Sequence, residues 1–103
     1  MQSDELYIDN IDLDREELIN KLTDELPVLR AKIGLSQDEL SKIIGVSRQT
    51  YSAVETKKRK MSWSTFMTLV LFFEHNENTK EMLNSSGAYS DALEQLLSVN
   101  NRE

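Results

Sequence analysis

The chain has 103 residues, a formal net charge of −6 and no cysteine. This length suits a single domain with a modest core, and the lack of cysteine excludes disulfides and thiolate metal sites. The longest apolar run, residues 66–73, is too short to cross a bilayer, and the N-terminal residues lack the pattern of a secretory signal. We therefore expect a cytoplasmic protein that does not associate with a membrane.

The N-terminal third is predicted to contain an acidic tail followed by helices. Residues 1–12 are acidic and irregular, which predicts a flexible tail. Asp14 starts a capping-box pattern that predicts a helix over 14–24. A second short helix is predicted near 26–34, because Pro27 suits a first helical turn. One kinked helix through both segments is the alternative.

Glycines and capping residues predict the boundaries of the remaining elements. Gly34 suits a left-handed helix end, and Ser36 with Glu39 forms a second capping box. No segment alternates polar and apolar residues over the length of a strand, so the predicted fold class is all-α. The further predicted helices are 37–44, 48–55, about 63–75, 79–86 and a last one that begins after Ser90.

Residues 36–55 have the properties of a helix-turn-helix. Two helices of about eight residues are joined by a tight turn at Gly45 and Val46, where glycine permits the sharp bend. Ser41 is small and lies where the helices would cross, so their backbones can approach each other. These are the features that a helix-turn-helix requires.

The second helix of this unit has two distinct sides on a helical wheel. Tyr51 and Val54, with Thr50, form the side expected to face inward. Arginine, glutamine and alanine suit guanine, adenine and the thymine methyl group, and the start of such a helix enters the major groove. The residues predicted to lie outward and contact bases are Arg48, Gln49, Ser52 and Ala53.

The positive charge of this acidic chain is concentrated around the same unit. Residues 26–60 contain eight basic and three acidic residues, whereas the rest of the chain contains four basic and fifteen acidic ones. This asymmetry indicates a cationic face with a polyanionic partner, and cations beside a recognition helix suit DNA phosphates. The predicted phosphate contacts of this region are Ser47, Lys57, Lys58, Arg59 and Lys60.

The segment LSQDELSKIIGVSRQTYSAVE, residues 35–55, resembles the helix-turn-helix of Cro/Xre-type bacterial transcriptional regulators. A looser resemblance extends over 26–73. The resemblance implies that 47–55 is the recognition helix and that Gln37 contacts the DNA backbone. It also agrees with the helical wheel on base reading by Arg48, Gln49 and Ala53.

The predicted fold is a five-helix Cro/repressor-like helix-turn-helix domain with additional N- and C-terminal helical segments. The predicted DNA-binding domain covers residues 13–88, and 89–103 form a C-terminal helix and tail. Three positions depart from the family pattern. Lys57 replaces a common glycine, Met61 a common proline and Ser41 a more usual alanine. If the loop keeps its shape, lysine in a left-handed cap should cost about 1 kcal/mol relative to glycine.

Several apolar side chains lie outside the main apolar stripe of helix 63–75 or follow it. Burying such a side chain is worth about 1.5–3 kcal/mol, so exposure of Leu71 or Phe72 indicates a partner surface. The cover is either a terminal helix of the same chain or a second subunit. The predicted dimer or partner face comprises Leu71, Phe72, Leu93, Leu96 and Leu97.

The leading functional prediction is a sequence-specific DNA-binding regulator, a repressor, that binds double-stranded DNA as a homodimer. The alternatives are an antitoxin that uses the same DNA face and binds a toxin, and a protein-interaction module. The single histidine, His75, has no partners for a metal site, and no glycine-rich phosphate loop is present. We therefore predict no enzyme activity, no cofactor and no bound metal.

Overall fold

The computed structural model describes residues 14–88 together with residues 93, 94 and 97. The described part of the chain contains helices and no strand, which confirms the predicted all-α class. The tail predicted at 1–12, the cap predicted at Ser90 and Leu96 lie outside the described residues. Five helices lie wholly within residues 14–88: α1 (Arg15–Lys32), α2 (Gln37–Ile44), α3 (Arg48–Glu55), α4 (Trp63–Glu74) and α5 (Glu77–Ser86). Residues 93, 94 and 97 are helical as well.

The first helix is continuous through Pro27, so the predicted division into two helices is wrong and the alternative of one helix is correct. An internal proline removes one backbone hydrogen bond and costs about 3 kcal/mol. Burial of a single leucine contributes a comparable amount, and α1 buries a whole face against the rest of the protein. The buried apolar residues of this face, none more than 7% exposed, are Leu18, Ile19, Leu22, Leu26 and Leu29.

The predicted helix boundaries at the centre of the chain are confirmed by their hydrogen bonds. Ser36 and Glu39 form a reciprocal capping box, and the Ser47 hydroxyl accepts a bond from the Thr50 backbone N–H. Gly34 has a φ of +67°. Its N–H donates to the Ala31 carbonyl, while the next N–H donates to the Arg30 carbonyl, which completes a Schellman ending. The helix α5 starts two residues before the predicted position.

One core holds the helices together, and α1 is its scaffold. This helix packs against α3, α4 and α5, while α2 packs against α3 and α4. Because α1 contacts both the end of α3 and the start of α4, it fixes the segment between them. The side chains at the centre of the core include Leu26, Leu40, Tyr51, Phe66, Phe73, Leu83 and Leu93.

Candidate nucleic-acid interface

The turn between α2 and α3 has the tight geometry that the sequence predicts. The backbone N–H groups of Gly45 and Val46 both donate to the Ser41 carbonyl, at 2.9 and 3.0 Å. The side chain of Ser41 is buried, and its hydroxyl donates to the Asp38 carbonyl at 2.8 Å. Serine therefore replaces alanine here without an unpaired buried hydroxyl, and α2 and α3 pack closely.

The third helix has one buried side and one open side. Tyr51 and Val54 are buried in the core, as the helical wheel predicts. Arg48 and Gln49 are exposed at the helix start, and Ser52 and Ala53 are partly exposed on the following turn. The residues that line one shallow depression on the open side are Arg48, Gln49, Ser52, Ala53, Thr56 and Lys58.

A largely buried ion pair fixes the far end of α3. The Arg30 Nε and Nη2 atoms donate to the two Glu55 carboxylate oxygens at 2.9 and 2.8 Å. The Arg30 Nη1 atom also donates to the Leu35 carbonyl at 2.8 Å. One guanidinium group therefore joins the end of α1, the start of the α2 region and the last residue of α3.

This ion pair also controls the charge of Glu55. Burial of the Glu55 carboxyl group is the largest single influence on its pKa and raises it, but the polar contacts with Arg30, Tyr51 and Gln37 together lower it by more, so the net pKa lies below the usual value. The pKa of Arg30 is raised by the same contact. The pair could not be predicted from the sequence, because its members are 25 residues apart. The available signal was an arginine within the apolar stripe of α1.

The starts of α2 and α3 lie next to each other. Gln37, the first residue of α2, lines one depression with Arg30, Asp38 and Arg48, the first residue of α3. Ser47 caps α3, and its hydroxyl lies 3.0 Å from the Thr50 hydroxyl. Unpaired N–H groups and the positive end of the helix dipole favour anions at such positions.

The segment after α3 ends the helix with an unusual residue. Lys57 has a φ of +67°, the left-handed conformation that favours glycine. The N–H groups of Lys57 and Lys58 donate to the carbonyls of Val54 and Ala53, at 3.0 and 2.9 Å, which is a Schellman ending. The loop therefore keeps the left-handed cap, and the strain expected of a side chain at this position is present.

The four cations of this loop, Lys57 to Lys60, have different surroundings. Lys58 adjoins the open side of α3. Lys57 forms an ion pair with Asp24 of α1, and the Lys60 Nζ atom lies 3.0 Å from a carboxylate oxygen of Glu16. The sequence predicts that these cations lie beside DNA, but it does not predict their acidic partners on α1.

Comparison with known proteins bears on this unit directly. The family model for helix-turn-helix domains matches residues 29–66, which include α2, α3 and the cationic loop. The match agrees with the resemblance of residues 35–55 to the helix-turn-helix of Cro/Xre-type regulators. The match supports a DNA-binding regulatory role for the unit. No curated protein and no solved structure matches the chain.

An exposed apolar depression lies largely outside the helix-turn-helix. Leu71 of α4 is 60% exposed and Leu97 is 45% exposed, and both line this depression with Met67 and Val70. Two other residues of the predicted partner face are placed differently. Phe72 is partly buried against the core, and Leu93 is fully buried in it.

No helix in the described residues is both long enough and apolar enough to cross a membrane.

Proposed function

We propose that the protein is a sequence-specific transcriptional regulator, a repressor, that inserts helix 47–55 into the major groove of DNA. The observation that supports this most strongly is the position of Arg48, Gln49, Ser52 and Ala53 on the open side of α3. Arginine can make paired hydrogen bonds to guanine and glutamine to adenine, while alanine can contact a thymine methyl group. The family match over the same helix supports the assignment.

The phosphate contacts of this proposal come from two places. Gln37 and Ser47 lie at the starts of α2 and α3, where backbone N–H groups favour an anion. The loop of Lys57, Lys58, Arg59 and Lys60 supplies the cations. Phosphate contacts give affinity and register, whereas the side chains on α3 give sequence preference.

Selection of bound sequences from random DNA duplexes tests this function. The selected site should then be measured with Arg48→Ala/Gln49→Ala, which removes two base contacts and should weaken binding at least about 100-fold. Lys80→Ala/Asn84→Ala, two exposed residues of α5, is the matched control and should bind like the wild type. Recovery of no preferred sequence, or equal binding by both variants, would contradict base reading by α3.

The regulator acts as a homodimer in this proposal, because one recognition helix reads few base pairs and two half-sites one turn apart increase specificity. The depression around Leu71 and Leu97 supplies an exposed apolar surface for the contact. Leu71→Glu should shift sedimentation at tens of micromolar from dimer to monomer. Ser64→Glu, an exposed position on the same helix, should leave the dimer intact. A monomeric wild type that binds its operator tightly would contradict this arrangement.

The same apolar surface favours a second candidate, an antitoxin that binds DNA with α3 and a toxin with the face around Leu71. Both functions place the protein in the bacterial cytoplasm. Co-expression with a small protein from a neighbouring gene distinguishes them. In the antitoxin case that protein should inhibit growth, and the wild type, but not Leu71→Glu, should relieve the inhibition.

A further inference from the structure

We propose that Glu16 and Asp24 compete with DNA phosphates for Lys60 and Lys57, and thereby reduce the affinity of the helix-turn-helix for DNA. The inference rests on the proposed DNA-binding function. It assigns a role to two acidic residues of α1 that lie outside the recognition unit.

The loop after α3 runs antiparallel to α1 and lies beside it. Along α1 from its end to its start, successive residues contact successively later positions from Glu55, the last residue of α3, to Trp63, the first residue of α4. Arg30 and Arg15, the outermost of these residues, lie about 22 Å apart along the helix axis. Contacts with α1 at several points therefore fix the backbone of the segment that contains the loop cations. The contacts are Arg30 with Glu55, Asp24 with Lys57, Glu16 with Lys60, and Arg15 over the Trp63 ring at 4.7 Å.

The two lysine pairs are exposed enough to exchange partners. The side chains of Lys57 and Asp24 are 65% and 59% exposed, and those of Lys60 and Glu16 are 52% and 72% exposed. Exposed pairs of this kind change an equilibrium constant by up to about five-fold. A DNA phosphate can therefore replace either carboxylate, but each replacement reduces the net gain from the new contact.

The depression between α1 and the loop contains both cations and a carboxylate. Lys57, Arg59 and Lys60 line one depression together with Asp24, Asn20 and Thr23. Three cations favour a phosphate at this place, while the Asp24 carboxylate occupies Lys57. Asp24 and Glu16 thus weaken a contact that depends on charge and not on base sequence.

The test compares neutral variants of α1 in their binding to the selected duplex at low salt. Glu16→Gln/Asp24→Asn should bind about five- to ten-fold more tightly than the control Glu17→Gln/Glu25→Gln. The control changes the net charge equally on the same helix. Glu17 pairs with Lys21, and Glu25 forms no ion pair within the described residues. Each single substitution should give part of the gain, which keeps the test valid if a double variant folds poorly.

A double-mutant cycle shows whether the gain acts through the lysines. In a Lys57→Gln/Lys60→Gln background, Glu16→Gln/Asp24→Asn should give no gain beyond that of the control. A gain equal to the control's, or one that persists without the lysines, would overturn the inference. The DNA-binding function would still stand if Arg48→Ala/Gln49→Ala abolished binding in the same assay. A wild type that binds no duplex would overturn both.

Discussion

The ion pairs between α1 and residues 55–60 fall into two regions that differ in their exposure to water. At one end, Arg30 and Glu55 form a two-point ion pair with side chains only 18% and 8% exposed. At the other, Lys57 and Lys60 pair with carboxylates through side chains that are all more than half exposed. A buried charge needs its partner, whereas an exposed one can exchange its partner for water or another anion.

This difference matches the two tasks proposed for the surface. Base reading needs α3 held at a fixed position, and the Arg30–Glu55 pair holds its last residue. Phosphate binding tolerates adjustment, because a lysine ammonium group acts as a point charge on a flexible chain. In this proposal the same helix, α1, fixes one part of the DNA-binding surface and modulates another.

The largest expected effect comes from breaking the buried pair. Arg30→Met should lower the free energy of unfolding by about 3 kcal/mol, because it leaves the Glu55 carboxylate buried without its cation. Urea unfolding measures the change. Lys60→Met, which breaks an exposed pair, should lower it by less than about 1 kcal/mol.

The double variant Arg30→Met/Glu55→Leu separates loss of a charge partner from loss of packing. Without the buried carboxylate, it should recover part of the stability lost in Arg30→Met. Equal losses in Arg30→Met and Lys60→Met would show that the two regions do not differ as proposed.

The second-largest effect should come from acid, which lowers stability by protonating Glu55 of the buried pair. The pKa of Glu55 is lower in the folded protein than its ordinary value, so the unfolded chain binds the proton more readily. The contribution of Glu55 to stability is therefore complete above about pH 4.3, the ordinary glutamate value, and is lost as the pH falls through the lower folded pKa. Wild-type unfolding free energy should fall more steeply below pH 4.3 than that of Glu55→Gln. Parallel curves would contradict the assignment.

The sequence predicts the elements that depend on local interactions. The capping box of Ser36 and Glu39 and the left-handed turn at Gly45 are signals within a few residues, and both are present. The inward side of α3 follows from helical periodicity, which Tyr51 and Val54 confirm. The open side with Arg48 and Gln49 follows from the same wheel.

Interactions between distant residues could not be predicted in this way. Pro27 is a local signal for a helix start, but burial of one face of α1 outweighs it. The partners Arg30 and Glu55 are 25 residues apart, and Lys60 and Glu16 are 44 apart. A single sequence contains no periodicity that pairs such positions, so the charge of the loop was predicted without its acidic neighbours.

Two left-handed residues, one in the turn of the helix-turn-helix and one just after its second helix, should respond in opposite ways. Lys57, with a φ of +67°, carries a side chain in a conformation that favours glycine. Lys57→Gly should therefore raise the free energy of unfolding by up to about 1 kcal/mol. Gly45 has a φ of +81°, and Gly45→Ala should lower it by about 1 kcal/mol. Thermal unfolding compares the three proteins.

DNA binding by Lys57→Gly provides a second test of the role of Lys57. Lys57→Gly removes a predicted phosphate contact, so it should weaken DNA binding and reduce the salt slope by about 0.9 while it stabilises the fold. If the variant is stabilised but the salt dependence of its DNA binding is unchanged, Lys57 does not contact a phosphate.

The smallest expected change in stability comes from the exposed pairs themselves. Asp24→Asn should alter the unfolding free energy by less than about 0.5 kcal/mol, because both members of its pair are more than half exposed to water. Calorimetry at low and high salt measures this change, and the difference from wild type should disappear at high salt. A loss as large as that in Arg30→Met would place Asp24 among the residues that fix α3, and the contrast between the two regions of α1 would fail. A small loss leaves Lys57 available to phosphate, because a weak internal pair presents a small barrier to its replacement.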